Sequence, residues 1–270
     1  MNYELVKVCG MRDAENIRAV EALGVDWMGF IFWPGSRRYV AERPSYLPVK
    51  AKRVGVFVDA DMAEVMQKVE EYALDIIQLH GTESPEYVAQ LANLIGHPSP
   101  LTSHPSPLTS HPSIIKVFNI ATAEDLKQTK AYEGLADYFL FDTKCKMPGG
   151  SGQQFDWSIL SAYDAPVPYL LSGGIGPDDA ERIKAFANPQ SSIPNSQFSI
   201  LNSQSKNPQS SILNPQSKNP QSTPCIGIDL NSRFESEPGM KDVAALRRFL
   251  SQISHTPHST HQPHQDNEQN

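Results

Sequence analysis

The feature that most constrains this chain is an alternation. Short, continuously apolar runs rich in β-branched residues are each followed by a stretch whose apolar positions recur at helical spacing. The runs are Leu5 to Cys9 (LVKVC), Asp26 to Phe32 (DWMGFIF), Arg53 to Val58 (RVGVFV), Ile76 to His80 (IIQLH), Ile114 to Phe118 (IIKVF), Tyr138 to Asp142 (YFLFD), Tyr169 to Leu171 and Cys225 to Leu230 (CIGIDL). A strand that is apolar along its whole length is covered on both faces, and in alternation with helices such strands build a parallel sheet. Eight of them predict closure into a (β/α)8 TIM barrel rather than an open sheet.

The intervening stretches carry helix signals. Asp13 stands as an N-cap before Ala14 to Leu23, with Gly24 just past the end. Further helices are expected over 61–72, 84–95, 123–133, 155–163, 177–187 and 241–253. After the second run, Pro44 and Pro48 interrupt the segment, so helix there is expected to be short or irregular. Two segments break the alternation. Residues 97–113 repeat His-Pro-Ser-Pro-Leu-Thr-Ser, and residues 188–223 are variants of Asn-Pro-Gln-Ser; neither has the apolar periodicity of a core element. Both follow a helix and precede a strand, which puts them on the barrel face opposite the catalytic mouth. The expected organisation is one barrel domain over residues 1–254, interrupted by these two disordered insertions, with residues 255–270 as a solvated tail despite their four histidines.

Composition narrows the function. At 270 residues the chain can enclose one large core. A formal charge of -7 with no Lys/Arg run argues against a nucleic-acid partner. No apolar run approaches the length that spans a bilayer, and the N-terminus lacks a signal-peptide pattern, so the expected location is the cytoplasm, away from membranes. Cys9, Cys145 and Cys225 are odd in number and widely spaced, as free thiols are in a reducing compartment.

Barrels keep their chemistry at the C-terminal ends of the strands. There this sequence sets Cys9, then Ser36 to Arg38, Asp59, Gln78 and His80, Asp142, Gly173 and Gly174, and finally Asp229 to Ser232. Taken singly, a strand-end polar residue is a cap or turn residue, and an unpaired Cys a small hydrophobe. Their convergence on one face predicts a site. Glycines after strand 7 and small polar residues after strand 8 fall where barrels bind phosphate, because bare backbone N–H groups approach an anion closely. The expected ligand is a phosphorylated small molecule.

Six stretches in order sharpen the reading: Lys7-Val8-Cys9-Gly10; Gly29-Phe30-Ile31-Phe32 with Ser36-Arg37-Arg38; Gln78-Leu79-His80-Gly81; Phe141-Asp142-Thr143 with Gly149-Gly150-Ser151-Gly152; Leu171-Ser172-Gly173-Gly174; and Asp229 to Glu235 with Pro238 to Asp242. In this order the chain resembles the phosphoribosylanthranilate isomerase family over nearly all of residues 4–253 outside the insertions. The resemblance implies an Amadori rearrangement of N-(5-phosphoribosyl)anthranilate to 1-(2-carboxyphenylamino)-1-deoxyribulose 5-phosphate in tryptophan biosynthesis, with no cofactor or metal, by a monomer or homodimer. It assigns Cys9 as general base and Asp142 as general acid. Arg38 would hold the anthranilate carboxylate, and Gly173, Gly174, Asn231 and Ser232 the phosphate. Gly150, Ser151 and Gly152 would form a flap, while His80 and Asp229 would face the substrate or hold loops. Arg233 stands where the family more often has a small residue, and either touches phosphate or points to solvent.

Two other readings compete. A metal-dependent sugar-phosphate epimerase would need His and carboxylate ligands on several strand ends, and here only His80 is well placed. A catalytically silent barrel would use its Pro/Ser/Asn-rich insertions as a scaffold.

Overall fold

The computed structural model describes residues 5–96, 111–143, 156–187 and 225–253. Eight parallel strands close into a barrel in sequence order: β1 (Leu5–Cys9), β2 (Trp27–Ile31), β3 (Lys52–Phe57), β4 (Ile76–Leu79), β5 (Ser113–Ile120), β6 (Tyr138–Thr143), β7 (Tyr169–Leu171) and β8 (Cys225–Leu230). The alternation of the sequence thus becomes the expected (β/α)8 wall. Of the expected insertions, only His111 to Ser113 fall among the described residues, and Ser113 already opens β5. The remainder of both insertions and the tail from 255 lie outside them.

Two apolar layers follow from strand alternation. Trp27, Ile31, Val54, Val56, Ile115 and Leu140 point inward and fill the barrel, whereas Val6, Val8, Met28, Phe30, Ile77 and Phe139 point outward to the surrounding segments. The outer layer is closed by α1 (Ala14–Glu21), α2 (Met62–Tyr72), α3 (Pro85–Leu94), α4 (Ala180–Ala187) and α5 (Val243–Gln252). Asp13, Asp61, Ser84 and Asp242 cap α1, α2, α3 and α5 through side-chain oxygens that accept backbone N–H groups.

The sequence anticipates α-helix over 123–133 and 155–163, but Ala123–Tyr132 and Trp157–Ala162 are 3-10 helices. The side chains explain the difference. Leu126 and Thr129 are buried three residues apart, as are Trp157, Leu160 and Tyr163. A 3-10 helix, with three residues per turn, stacks such positions in one line against the barrel.

Between β2 and β3 there is no regular helix, as the prolines suggest. A buried carboxylate from α1 organises that segment instead. Glu21 Oε1 accepts the N–H groups of Val49, Lys50 and Ala51 at 2.7, 2.6 and 3.1 Å, and its other oxygen accepts the Tyr46 hydroxyl. Burial works to raise the Glu21 pKa, but the Tyr46 and backbone hydrogen bonds outweigh it and hold the carboxyl below its ordinary value. A depressed folded-state pKa stabilises the fold above the ordinary Glu pKa, and that stability is lost as pH falls through the folded value. Glu21→Gln is expected to cost about 1.5–3 kcal/mol near neutral pH, the range for hydrogen bonds to a charged group. Urea unfolding of both proteins checks this: the difference between them is expected to close in acid, and a difference independent of pH would refute the charged anchor.

Candidate active site

The strand carrying Cys9 sets the site through its alternation. Leu5, Lys7 and Cys9 share the inward face of β1, and parallel pairing brings Lys7 level with Asp229 on β8 and Cys9 level with Gly29 on β2. Gly29 is there for space, since a Cβ on it would lie 2.7 Å from the Cys9 sulfur. Gly10, at φ +82°, turns the chain out of the strand while its N–H and that of Met11 both bond the Gly29 carbonyl at 2.9 Å. A Cβ on Gly10 would meet Arg38 Cδ at 2.7 Å and Asn231 Oδ1 at 2.9 Å, so the bare backbone lets the Arg38 side chain cross the mouth beside the thiol.

Beneath and beside Cys9 lies a set of buried charges. Lys7, fully buried, donates to Asp229 Oδ1 at 2.8 Å, and Ser172 Oγ donates to Asp229 Oδ2 at 3.4 Å. Arg38 is held by two edges of one carboxylate: Nε lies 2.8 and 3.0 Å from the Glu235 oxygens, and Nη2 lies 2.7 Å from Oε2. Lys241 Nζ completes the group, donating to Glu235 Oε1 at 2.6 Å and Asn231 Oδ1 at 2.8 Å. Glu235 and Lys241 come from a small hairpin after β8, β9 (Glu235–Glu237) and β10 (Met240–Lys241). Asn16 of α1 pins that hairpin by two hydrogen bonds of 2.9 Å to the Lys241 backbone.

The charges bias one another. Burial pushes the Cys9 thiol up, Lys7 and Lys241 pull it down, Asp229 adds to the rise, and the net direction is upward. Burial acts to lower Lys7, yet Asp229 and Cys9 together hold it above the usual lysine value. Burial dominates at Lys241 and lowers it despite Glu235. At Glu235 burial is overcome by Arg38 and Lys241, and the carboxyl sits below its ordinary range.

Across the mouth, Asp142 ends the inward face of β6. Its Oδ1 accepts the Thr143 N–H at 2.8 Å, and its Oδ2 lies 3.5 Å from His80 Nε2. That contact is an ion-pair distance without hydrogen-bond geometry, and His80 Nε2 and Gln78 Oε1 are buried with no hydrogen-bond partner among the described residues. Both point inward from β4, with Gln78 one layer deeper. The loop that carries His80 is fixed from outside the wall: Glu83 accepts the Asp59 and Gly81 N–H groups at 3.0 Å and pairs with buried Lys116 at 2.9 Å. Gly173 and Gly174 follow β7 in left-handed conformations, at φ +89° and +72°. A Cβ on Gly173 would meet the Thr143 side chain and its N–H nitrogen.

Cys9, Arg38, Asp229 and Asn231 thus come together, with His80 beside Asp142 and Gly173, Gly174 and Ser232 on the same rim. Gly150, Ser151, Gly152 and Cys145 lie outside the described residues. Arg37 is exposed; Arg233 is also exposed, and a Cβ on Gly176 would lie 3.1 Å from its Nε. The sequence reading assigned no role to Lys7, Glu235 or Lys241. Lys7 carried a legible signal, a cation inside an apolar strand two residues before Cys9 and therefore on its face. Among the described residues, no three His, Cys, Asp or Glu side chains form a group suited to a metal ion, and no helix is long and apolar enough to cross a membrane.

Because Gly29 clears the space for the sulfur, Gly29→Ala is expected to displace Cys9. A displacement of about 1 Å costs about a hundredfold in rate. The expected result is a folded protein by circular dichroism with kcat for the barrel's reaction down by that order; unchanged kcat would show that the sulfur's position is irrelevant.

Residues 6–100 and 104–191 match the family model described as N-(5'phosphoribosyl)anthranilate (PRA) isomerase. The N-(5'-phosphoribosyl)anthranilate isomerase of Parabacteroides distasonis is 41% identical over 257 residues, covering 93% of this chain and 94% of that protein. Its counterpart in Phocaeicola vulgatus is 40% identical over 249 residues, covering 92% and 97%. Among solved structures, the phosphoribosyl anthranilate isomerase from Thermus thermophilus superposes with a TM-score of 0.64 at 24% identity, covering 93% of this chain and 98% of that one. A phosphoribosyl anthranilate isomerase in complex with reduced 1-(o-carboxyphenylamino)-1-deoxyribulose 5-phosphate gives 0.62 at 22%, with the same coverage. At these identities the structural likeness speaks for the fold.

Proposed function

The chain belongs to the N-(5'-phosphoribosyl)anthranilate isomerase family, enzymes of tryptophan biosynthesis, and from that premise we propose that its barrel mouth carries out the family's Amadori rearrangement with Cys9 as general base and Asp142 as general acid. The observation that carries the assignment is their opposition. The two side chains end the inward faces of β1 and β6, three strands apart round the wall, and the substrate lies between them in this reading.

In the proposed sequence, the Asp142 carboxyl gives its proton to the ring oxygen of the phosphoribosyl group as the anilino nitrogen pushes its lone pair onto C1. The C1–O bond breaks and an open-chain Schiff base forms. The Cys9 thiolate then removes the C2 proton, and the electron pair moves into a C1–C2 double bond while the iminium nitrogen is neutralised. The resulting enolamine becomes the ketone when C1 is protonated and the C2 hydroxyl gives up its proton.

Arg38 binds the anthranilate carboxylate in this reading. Its Nε and one face of Nη2 are taken by Glu235, so it approaches the substrate with the remaining guanidinium edge in a fixed orientation. Gly173, Gly174, Asn231 and Ser232 receive the phosphate in this reading, largely through backbone N–H groups.

The decay of phosphoribosylanthranilate fluorescence, corrected for spontaneous hydrolysis, tests the assignment. Cys9→Ser and Asp142→Asn are each expected to fold, to bind a product analogue and to lose at least about a hundredfold in kcat, the lower end of positioned acid–base catalysis. Because the thiol is pushed up, its base form is scarce at neutral pH, and kcat/KM for the wild type is expected to rise with pH into the alkaline range. Wild-type turnover in folded Cys9→Ser would remove the thiol from the mechanism.

A further inference from the structure

The charges around Cys9 do not cancel. Three cations, Lys7, Arg38 and Lys241, face two anions, Asp229 and Glu235, and all five are at or below about a tenth exposed on their side chains. The pairs interlock rather than stand alone: Asp229 takes Lys7, and Glu235 takes both Arg38 and Lys241. Burying a positive charge without a counter-charge is strongly unfavourable. The one remaining group in the cluster able to become negative is the Cys9 sulfur. It stands two residues from Lys7 on the same inward face of β1, level with the register that pairs Lys7 with Asp229, and within the electrostatic reach of Lys7 and Lys241.

We propose that Lys7 and Lys241 are positioning residues for the base: the surplus positive charge of this five-residue cluster holds the Cys9 thiolate, and Asp229 sets how much of the Lys7 charge the sulfur feels. The inference rests on Cys9 being the base, and it adds residues to which the reading above gives no part in proton transfer. Burial and Asp229 push the thiol up, and the two ammonium groups pull against them. The groups facing the sulfur are Lys7 from β1, Asp229 from β8 and Lys241 from β10, with Arg38 and Glu235 behind them.

Ultraviolet absorbance of the thiolate during a pH titration reads this without turnover. The protein carries Cys145→Ser and Cys225→Ala so that Cys9 is its one thiol. Lys7→Met is expected to move the Cys9 midpoint upward by about one pH unit or more, a tenfold loss of thiolate at a given pH, and Lys7→Arg to recover most of it. Lys241→Met is expected to act in the same direction. Asp229→Asn is expected to move the midpoint downward, because it leaves Lys7 unopposed. The opposite signs separate electrostatics from damage, since a loosened mouth would shift every variant the same way. The kcat/KM profile is expected to follow each midpoint.

If Lys7→Met fails to fold, Lys241→Met and Asp229→Asn still decide the matter. Midpoints that do not move, or that move together, overturn the proposal. Full turnover in Cys9→Ser would instead overturn the base assignment while the absorbance midpoints went on reporting the cluster, so the two failures are distinguishable.

Discussion

A parallel sheet loses its edges only when its last strand finds its first, and in this protein the closing seam is β8 against β1. The register Leu5 to Gly227, Lys7 to Asp229 is enforced by two features. Gly227 has no side chain to collide with the Leu5 carbonyl, and the 2.8 Å pair between Lys7 and Asp229 ties the strands at the next inward layer. A slip of one residue in either strand would turn Lys7 or Asp229 outward into the apolar layer beneath the helices and part the pair. The pair that closes the wall is also the floor under Cys9, so a closing error and a chemical error are the same event.

The barrel was readable because continuous apolar runs and helical spacing are local properties of sequence. Proline in the segment after β2 likewise told where a helix would fail. What replaced that helix was not readable, because Glu21 reaches across some thirty residues to bind Val49, Lys50 and Ala51. The stretches 123–133 and 155–163 carried apolar residues compatible with either helix type, and only packing against the wall selects the three-residue turn. At the site, Cys9 and Asp142 could be named because strand ends are legible. The Arg38 clamp could not, since Glu235 lies 197 residues away and meets it only after the barrel closes.

That clamp bears on the carboxylate recognition proposed for Arg38. A free arginine on a loop would lose rotamer freedom on binding a carboxylate, whereas one already fixed by three hydrogen bonds to Glu235 has lost it during folding. The cost is a guanidinium with part of its donor capacity in use. It is tolerable because the fork retains N–H groups beyond those Glu235 takes, and because Lys241 shares the Glu235 charge.

The proposed acid and base sit in unlike surroundings on the two sides of the wall. The β8–β1–β2 side sets Lys7 and Lys241 near the sulfur, where they pull the Cys9 thiol down against burial and Asp229. The β4–β6 side offers Asp142 a histidine, a backbone N–H and the uncharged Gln78, with no lysine or arginine hydrogen-bonded to the carboxylate in any contact described above. Lys116 is the nearest candidate for such a cation by sequence, on the adjacent strand, yet strand alternation turns it outward to Glu83. Had β5 been shifted by one residue, its ammonium would enter the barrel level with Tyr138 or Leu140, beneath Asp142. The outward Lys116–Glu83 pair therefore does two things at once: it anchors the His80 loop and keeps a cation out of the barrel beneath Asp142, the acid of the proposed reaction.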